Sequence, residues 1–126
     1  MQIIKGECGG LISRADTTNG DTPSFYYFEV CQDGSYDVTA FLKGNHIYLI
    51  GRTKSSAIYQ GFQQRNWVKV VANANTLYFY VNEHMIDHIS DTNLSSGQIG
   101  IMARSYNNPP TEVAFSNAKV WLLRAS

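Results

Sequence analysis

Acid–base chemistry would need carboxylates brought into pairs, and the glutamates of this chain, Glu7, Glu29, Glu83 and Glu112, lie on separate segments. A retaining glycosidase needs two carboxyl groups roughly 5 to 5.5 Å apart. Only Glu29 falls in the middle of an apolar-alternating run, where an isolated carboxylate reads as an outward group solvating a sheet face. His84 and His88, with Glu83 and Asp87 beside them, suggest a metal cluster. On a helix, residues four apart meet, whereas on a strand they stand about 13 Å apart, and the local pattern is that of a strand. His46, at the start of another run, has no evident partner. No G-x-S-x-G elbow and no glycine-rich phosphate loop occurs. The expectation is a protein without catalytic residues.

Binding chemistry is better represented. The stretch W-V-K-V-V-A-N-A-N-T-L-Y-F-Y-V-N, residues 67–82, reads as a hairpin turning at Ala74 and Asn75. Val68, Val70 and Ala72 then oppose Val81, Phe79 and Leu77 as one apolar face. The other face carries Trp67, Lys69, Tyr78, Tyr80 and Asn82, aromatic rings that can stack on a pyranose beside polar groups that can take its hydroxyls. Tyr27, Tyr36 and Glu29 extend this candidate ligand-binding set, with Arg14 as a further polar contact. Asp16, Asn19 and Asp21 offer oxygen ligands from one loop, a weak calcium candidate because Ca²⁺ takes roughly 6 to 8 oxygens. Asp91 and Asn93 are weaker still. No cofactor is expected to be required.

Cys8 and Cys31 face each other if the segments around Ser13 and Phe28 pair about a loop centred on Asn19 and Gly20, which would permit a cross-strand disulfide. Two reduced thiols are the alternative. Without nearby histidine spacing they do not make a zinc site.

At 126 residues and 44% apolar content the chain fits one domain with its own core, residues 1–126. Lys plus Arg and Asp plus Glu number 10 each, so no net field recruits nucleic acid or an anionic membrane. No apolar run approaches the roughly 20 residues of a membrane-spanning helix, so membrane insertion is not expected. The opening residues lack a signal peptide's apolar stretch. A removed signal would leave the same start, and an extracytoplasmic location is favoured.

The elements that must hold these groups are short strands. Apolar alternation recurs over 10–15, 25–31, 36–42, 46–51, 67–72, 77–81, 85–89, 98–104 and 113–123, the last as a closing strand with Val113 and Phe115 inward. Turn signals fall between them at Asp33-Gly34, Lys43-Gly44-Asn45, 73–75 and Asn82-Glu83. Segment 53–65 lacks periodicity and reads as a crossover between sheets, with a short edge strand at 57–59. Asn107-Asn108-Pro109-Pro110 reads as a surface loop. The expected fold is all-β: an antiparallel two-sheet sandwich of jelly-roll type.

Several of these stretches, G-G-L-I-S-R-A (9–15), F-Y-Y-F-E-V with D-G-S-Y (25–36), R-N-W-V-K-V-V-A with T-L-Y-F-Y-V-N (65–82), S-G-Q-I-G-I-M-A (96–103) and V-A-F-S-N-A-K-V-W (113–121), resemble the concanavalin A-like lectin/glucanase superfamily. The likeness is in particular to its laminin-G-like and keto-disaccharide hydrolase-related bacterial sandwiches. The resemblance implies concanavalin-like topology and calcium in rim loops. It also implies strands before the G-L-I-x-R-A segment that this chain lacks. The E-x-D-x-x-E strand of the related glucanases is absent, and Asn82-Glu83 stands where the family commonly has Asn-Gly. The function implied is a non-catalytic, lectin-like carbohydrate-binding or adhesive module of a larger protein, meeting a glycan or protein ligand. A structural domain completing a homo-oligomer or docking on another domain, and a glycoside-processing enzyme, are the alternatives.

Overall fold

Apolar alternation dictates how the strands pair, and in the computed structural model, which describes residues 1–18, 22–106 and 110–119, it places two sheets face to face. The strands are β1 (Gln2–Lys5), β2 (Cys8–Asp16), β3 (Ser24–Cys31), β4 (Ser35–Leu42), β5 (Asn45–Lys54), β6 (Val68–Asn73), β7 (Thr76–Val81), β8 (His84–Ser90), β9 (Gln98–Arg104) and β10 (Glu112–Ala114). No helix forms among the described residues. One sheet has the order β5-β4-β3-β2-β9, the other β6-β7-β8, and β1 pairs with β10 in a separate ribbon. Every pairing is antiparallel.

The core lies between the sheets. Tyr26, Phe28 and Val30 of β3 with Tyr36, Val38 and Ala40 of β4 meet Leu77, Phe79 and Val81 of β7, and the Phe28 and Phe79 rings are 4.9 Å apart. Val68 pairs with Val81, Val70 with Phe79 and Ala72 with Leu77, the register that places all six side chains on the core face. Ile58 and Leu94, from the two segments that cross between the sheets, are buried at its margin. The β1–β10 ribbon is tied to the first crossover by Asn66 N–H donating to the Met1 carbonyl and Gln63 N–H to the Ile3 carbonyl.

Three expectations need correction. Residues 2–5 form a strand that the alternation did not disclose, because four residues are too few to show a period. Residues 57–59 form no strand. Their backbone is satisfied by side-chain amides instead: the Asn66 amide bonds both Tyr59 N–H and C=O, and Asn82 Nδ2 donates to the Ala57 carbonyl. Ile58 is thereby free to turn into the core. The closing strand ends at Ala114; Val113 and Phe115 are half-buried, Asn117 takes a positive φ of 56°, and 120–123 lie outside the described residues. Residues 107–109 of the Asn-Pro loop also lie outside them.

Cys8 and Cys31 occupy directly opposed positions of β2 and β3 and are joined as a disulfide, closing a sequence separation of 23. A loop of that length restrains the unfolded chain by about 3 kcal/mol. Replacing both cysteines by serine is expected to lower the unfolding free energy by that order, measured by urea titration.

Asn82 and Glu83 join β7 to β8 with φ values of 51° and 69°, the two left-handed residues of a type I′ turn. A residue with a Cβ is disfavoured there, so Glu83→Gly should raise stability by about 0.5–1 kcal/mol, read as a higher denaturant midpoint with unchanged slope.

Candidate functional site

On the face of the five-stranded sheet turned away from the core, side chains fall into cross-strand rows. Gly10, Glu29 and Asp37 form one, since Gly10 pairs with Glu29 and Glu29 with Asp37. Tyr27, Thr39 and Tyr48 form the next, and Phe25, Phe41 and His46 the one beyond. An outward sheet face is ordinarily wet. Here Glu29 is 0% and Asp37 1% exposed, with Tyr27 and Thr39 equally inaccessible.

What covers them comes from the edges. Pairing of β5 with β4 slips twice, between Tyr36 and Val38 and between Val38 and Thr39, and beyond these bulges Arg52 reaches over the row. Its Nη2 lies 3.6 Å from Glu29 Oε2 and 3.4 Å from Asp37 Oδ2, and its Nη1 donates to Cys31 Sγ at 3.2 Å and Ser35 Oγ at 3.3 Å. Arg104, at the end of β9, stands over the Tyr106 ring at 4.7 Å and the Phe41 ring at 5.5 Å. Tyr106 itself lies under both guanidiniums, with Arg52 at 4.8 Å, and donates its hydroxyl to Glu29 Oε2. The Tyr106 N–H donates to the Glu7 carboxylate. Thr39 Oγ1 donates to Asp37 Oδ1 at 3.3 Å and Tyr27 O–H to the Met102 carbonyl at 3.3 Å. The result is a cup with an acidic floor, cationic walls and an open cavity of about 480 Å³ lined by Glu7, Asp37, Tyr48, Gly51, Arg52 and Tyr106.

Burial dominates the titration of the floor. It pushes Glu29 up to about 8, helped by its hydrogen bond to Asp37 and opposed by the Tyr106 hydroxyl and the Arg104 charge. Burial, then the proximity of Glu29, also drives the Tyr27 and Tyr106 hydroxyls well above the usual phenol range. Glu29 is therefore an acid that holds its proton near neutrality. Two polar atoms of the cup, Glu29 Oε1 and Arg104 Nη1, are buried with no hydrogen-bond partner among the described residues.

The expected residues separate into groups. Glu29 is no solvated surface carboxylate, because Arg52 and Tyr106 lie over it, and with Asp37 it forms the carboxyl pair that no single segment disclosed. Arg52 Nη2 joins the pair, at 3.6 Å from Glu29 Oε2 and 3.4 Å from Asp37 Oδ2. Tyr27 is in the cup floor and presents no ring to solvent. Tyr36 belongs to the core side and donates to Asp87 Oδ2 at 3.0 Å. Trp67 (65% exposed), Lys69, Tyr78 and Tyr80 lie on the outer side of the other sheet, away from the cup. There Lys69 covers the Tyr80 ring at 4.3 Å and Tyr78 stacks on His88 at 6.1 Å. Asn82 is a structural tie rather than a ligand contact: its Oδ1 accepts from Trp67 N–H while Nδ2 donates to Ala57 and Asn66. Arg14 is buried and donates to the Leu94 carbonyl at 3.3 Å. His46 has partners after all, in the Phe41 and Tyr48 rings.

The calcium candidates are engaged in turns where they are described. Asp16 Oδ1 accepts from Thr18 N–H and Oγ1 at 2.9 and 2.7 Å, and Asn19 and Asp21 lie outside the described residues. Asp91 accepts from the Tyr26 hydroxyl and from Asn93. Among the described residues, the group of potential metal-ligand atoms that converges is Cys8, Glu29 and Cys31, and its two sulfurs are bonded to each other.

Missed from sequence were Asp37, Arg52, Arg104, Tyr106 and Tyr48. A signal for the first existed: a turn at Asp33-Gly34 between the two runs brings Glu29 opposite Asp37.

The fold and the cup together define an all-β sandwich with a walled polar recess on one outer face. No family model and no curated protein matches the chain. Among solved structures, the carbohydrate binding module CBM66 from Bacillus subtilis superposes with a TM-score of 0.66 at 20% identity, over 79% of this chain. The chain spans 60% of the length of that one. At this identity the likeness supports the β-sandwich fold.

Because Glu29 is raised in the folded state, its contribution to stability is full below its unfolded value near 4.5 and is lost as pH rises through about 8. Glu29→Gln keeps an uncharged side chain in the floor. Across pH 5 to 9 the wild type should lose urea stability relative to Glu29→Gln, and parallel profiles would refute the buried neutral acid.

Proposed function

We propose that this domain is a non-catalytic carbohydrate-binding module whose site is the cup formed by Glu29, Asp37, Arg52, Arg104, Tyr106 and Tyr48. The observation that carries this reading is the open recess lined by Tyr48, Arg52 and Tyr106, beneath which Glu29 Oε1 and Arg104 Nη1 are each buried without a hydrogen-bond partner among the described residues. A buried polar atom left unpaired costs about 1–3 kcal/mol. Sugar hydroxyls donate and accept at once, and neighbouring hydroxyls on one ring can answer both an acid and a guanidinium. Tyr48, exposed at the cavity wall, supplies an aromatic surface for the C–H face of a ring.

Charge narrows the ligand further. Glu7 and Asp37, with the protonated Glu29, stand against two guanidiniums, so the cup favours a neutral polyhydroxyl ligand, and an anion would meet the carboxyl groups as well as the cations. The cavity falls within the usual range for small-ligand sites, about 300–1,000 Å³. The structural likeness to a carbohydrate binding module is consistent with this assignment, and placement within a larger protein is part of it.

The exposed Trp67 on the opposite sheet favours a second reading, contact with another domain or chain. A neutral-glycan array with and without EDTA, followed by calorimetry on any hit, separates the two. Glycan binding should fall at least about tenfold in Arg52→Ala and in Glu29→Gln, and stay unchanged in Trp67→Ala and in EDTA. Binding that depends on Trp67 and ignores Arg52 would move the site to the other sheet. A concentration-dependent dimer in sedimentation without glycan binding would replace this reading with the interaction domain.

A further inference from the structure

We propose that the aromatic row adjoining the cup, Phe25, Phe41 and His46, is a second sugar subsite, so that the ligand is an oligosaccharide and not a lone sugar. The inference rests on the carbohydrate reading of the cup and deepens it. Phe25 pairs with Phe41 and Phe41 with His46 across β3, β4 and β5, so the three lie in one line on the cup's own face of the sheet. Successive rings are close, with Phe25 stacked on Phe41 at 4.7 Å and His46 edge-on to Phe41 at 5.5 Å.

Two side chains make the row continuous with the cup. Tyr48 lines the cavity and its ring lies 6.4 Å from His46. Arg104 spans the boundary from the other side, one guanidinium over both Tyr106 and Phe41. Tyr48 is 54% exposed and His46 is exposed, so their rings are open beside the polar recess, while Phe25 and Phe41 are half-buried behind them. Cross-strand aromatic rows also form to stabilise sheets. A row serving only that end has no reason to continue into the wall of a polar cup.

The chemistry divides accordingly. The cup, with its acids and guanidiniums, recognises the hydroxyl pattern of one terminal unit. The row offers no carboxylate and recognises the apolar faces of the units that follow, with little demand on their hydroxyls.

The test is calorimetry with ladders of one to five units of neutral glucose-, mannose-, galactose-, xylose- and fructose-based oligosaccharides. For any ladder that binds, the wild type should gain about tenfold in affinity between one and three units, the size expected of one added ring stack. His46→Ala should erase most of that gain while leaving the monosaccharide affinity intact, and Phe41→Leu should do the same should His46 alone prove too weak a contributor. Equal affinity for one and three units, or a full gain retained in both variants, overturns the second subsite and leaves the cup standing. A gain that depends on His46 while Glu29→Gln binds normally overturns the cup and supports the row. No binding by any ladder overturns both.

Discussion

The register of three neighbouring strands governs everything distinctive in this protein. With Cys8 opposite Cys31, and Glu29 opposite both Gly10 and Asp37, two acids stand side by side on a sheet face and a covalent link lies beside them. A slip of one residue in either pairing would send Glu29 or Asp37 to the core side. The apolar face of β3 and β4 holds the register because Tyr26, Phe28, Val30, Tyr36, Val38 and Ala40 can be buried against β7 in no other way. The core thus positions the cup from behind, without contributing an atom to it.

A buried acid pair under two arginines is poor as a source of stability, since desolvation offsets most of what the charges return. Glu29 keeps a proton, Asp37 draws on Thr39 and Arg52, and Arg104 leaves a nitrogen unanswered. Such an arrangement persists because the sandwich around it is stable on other grounds, chiefly its aromatic core and the disulfide. Unanswered polar groups gathered at one place set this recess apart from an ordinary polar face.

Architecture was legible in the sequence because it is written in local periods. The hairpin from Val68 to Val81 and the facing cysteines follow from alternation and a turn centre, and both registers are found as expected. The cup was illegible for a different reason: its members come from β3, β4, β5, β9 and the segment after β9. Alternation says only that Glu29 points away from the core, and solvent is the ordinary destination for such a side chain. Its burial depends on Arg52, carried over the row beyond two bulges that have no sequence signature, and on Tyr106, which lies outside any strand. The aromatic face of the hairpin was easy to see because all its members are neighbours in one motif.

The slips that bring Arg52 over the acids also bear on how copies of this chain meet. β5 is an edge of the five-stranded sheet, and a regular edge presents an unbroken line of unpaired N–H and C=O groups that invites another strand to add. Two irregularities in succession interrupt that line and twist the edge away from the flat template that strand addition requires. The same distortion that carries Arg52 over the acids thus makes this edge a poor template for another strand.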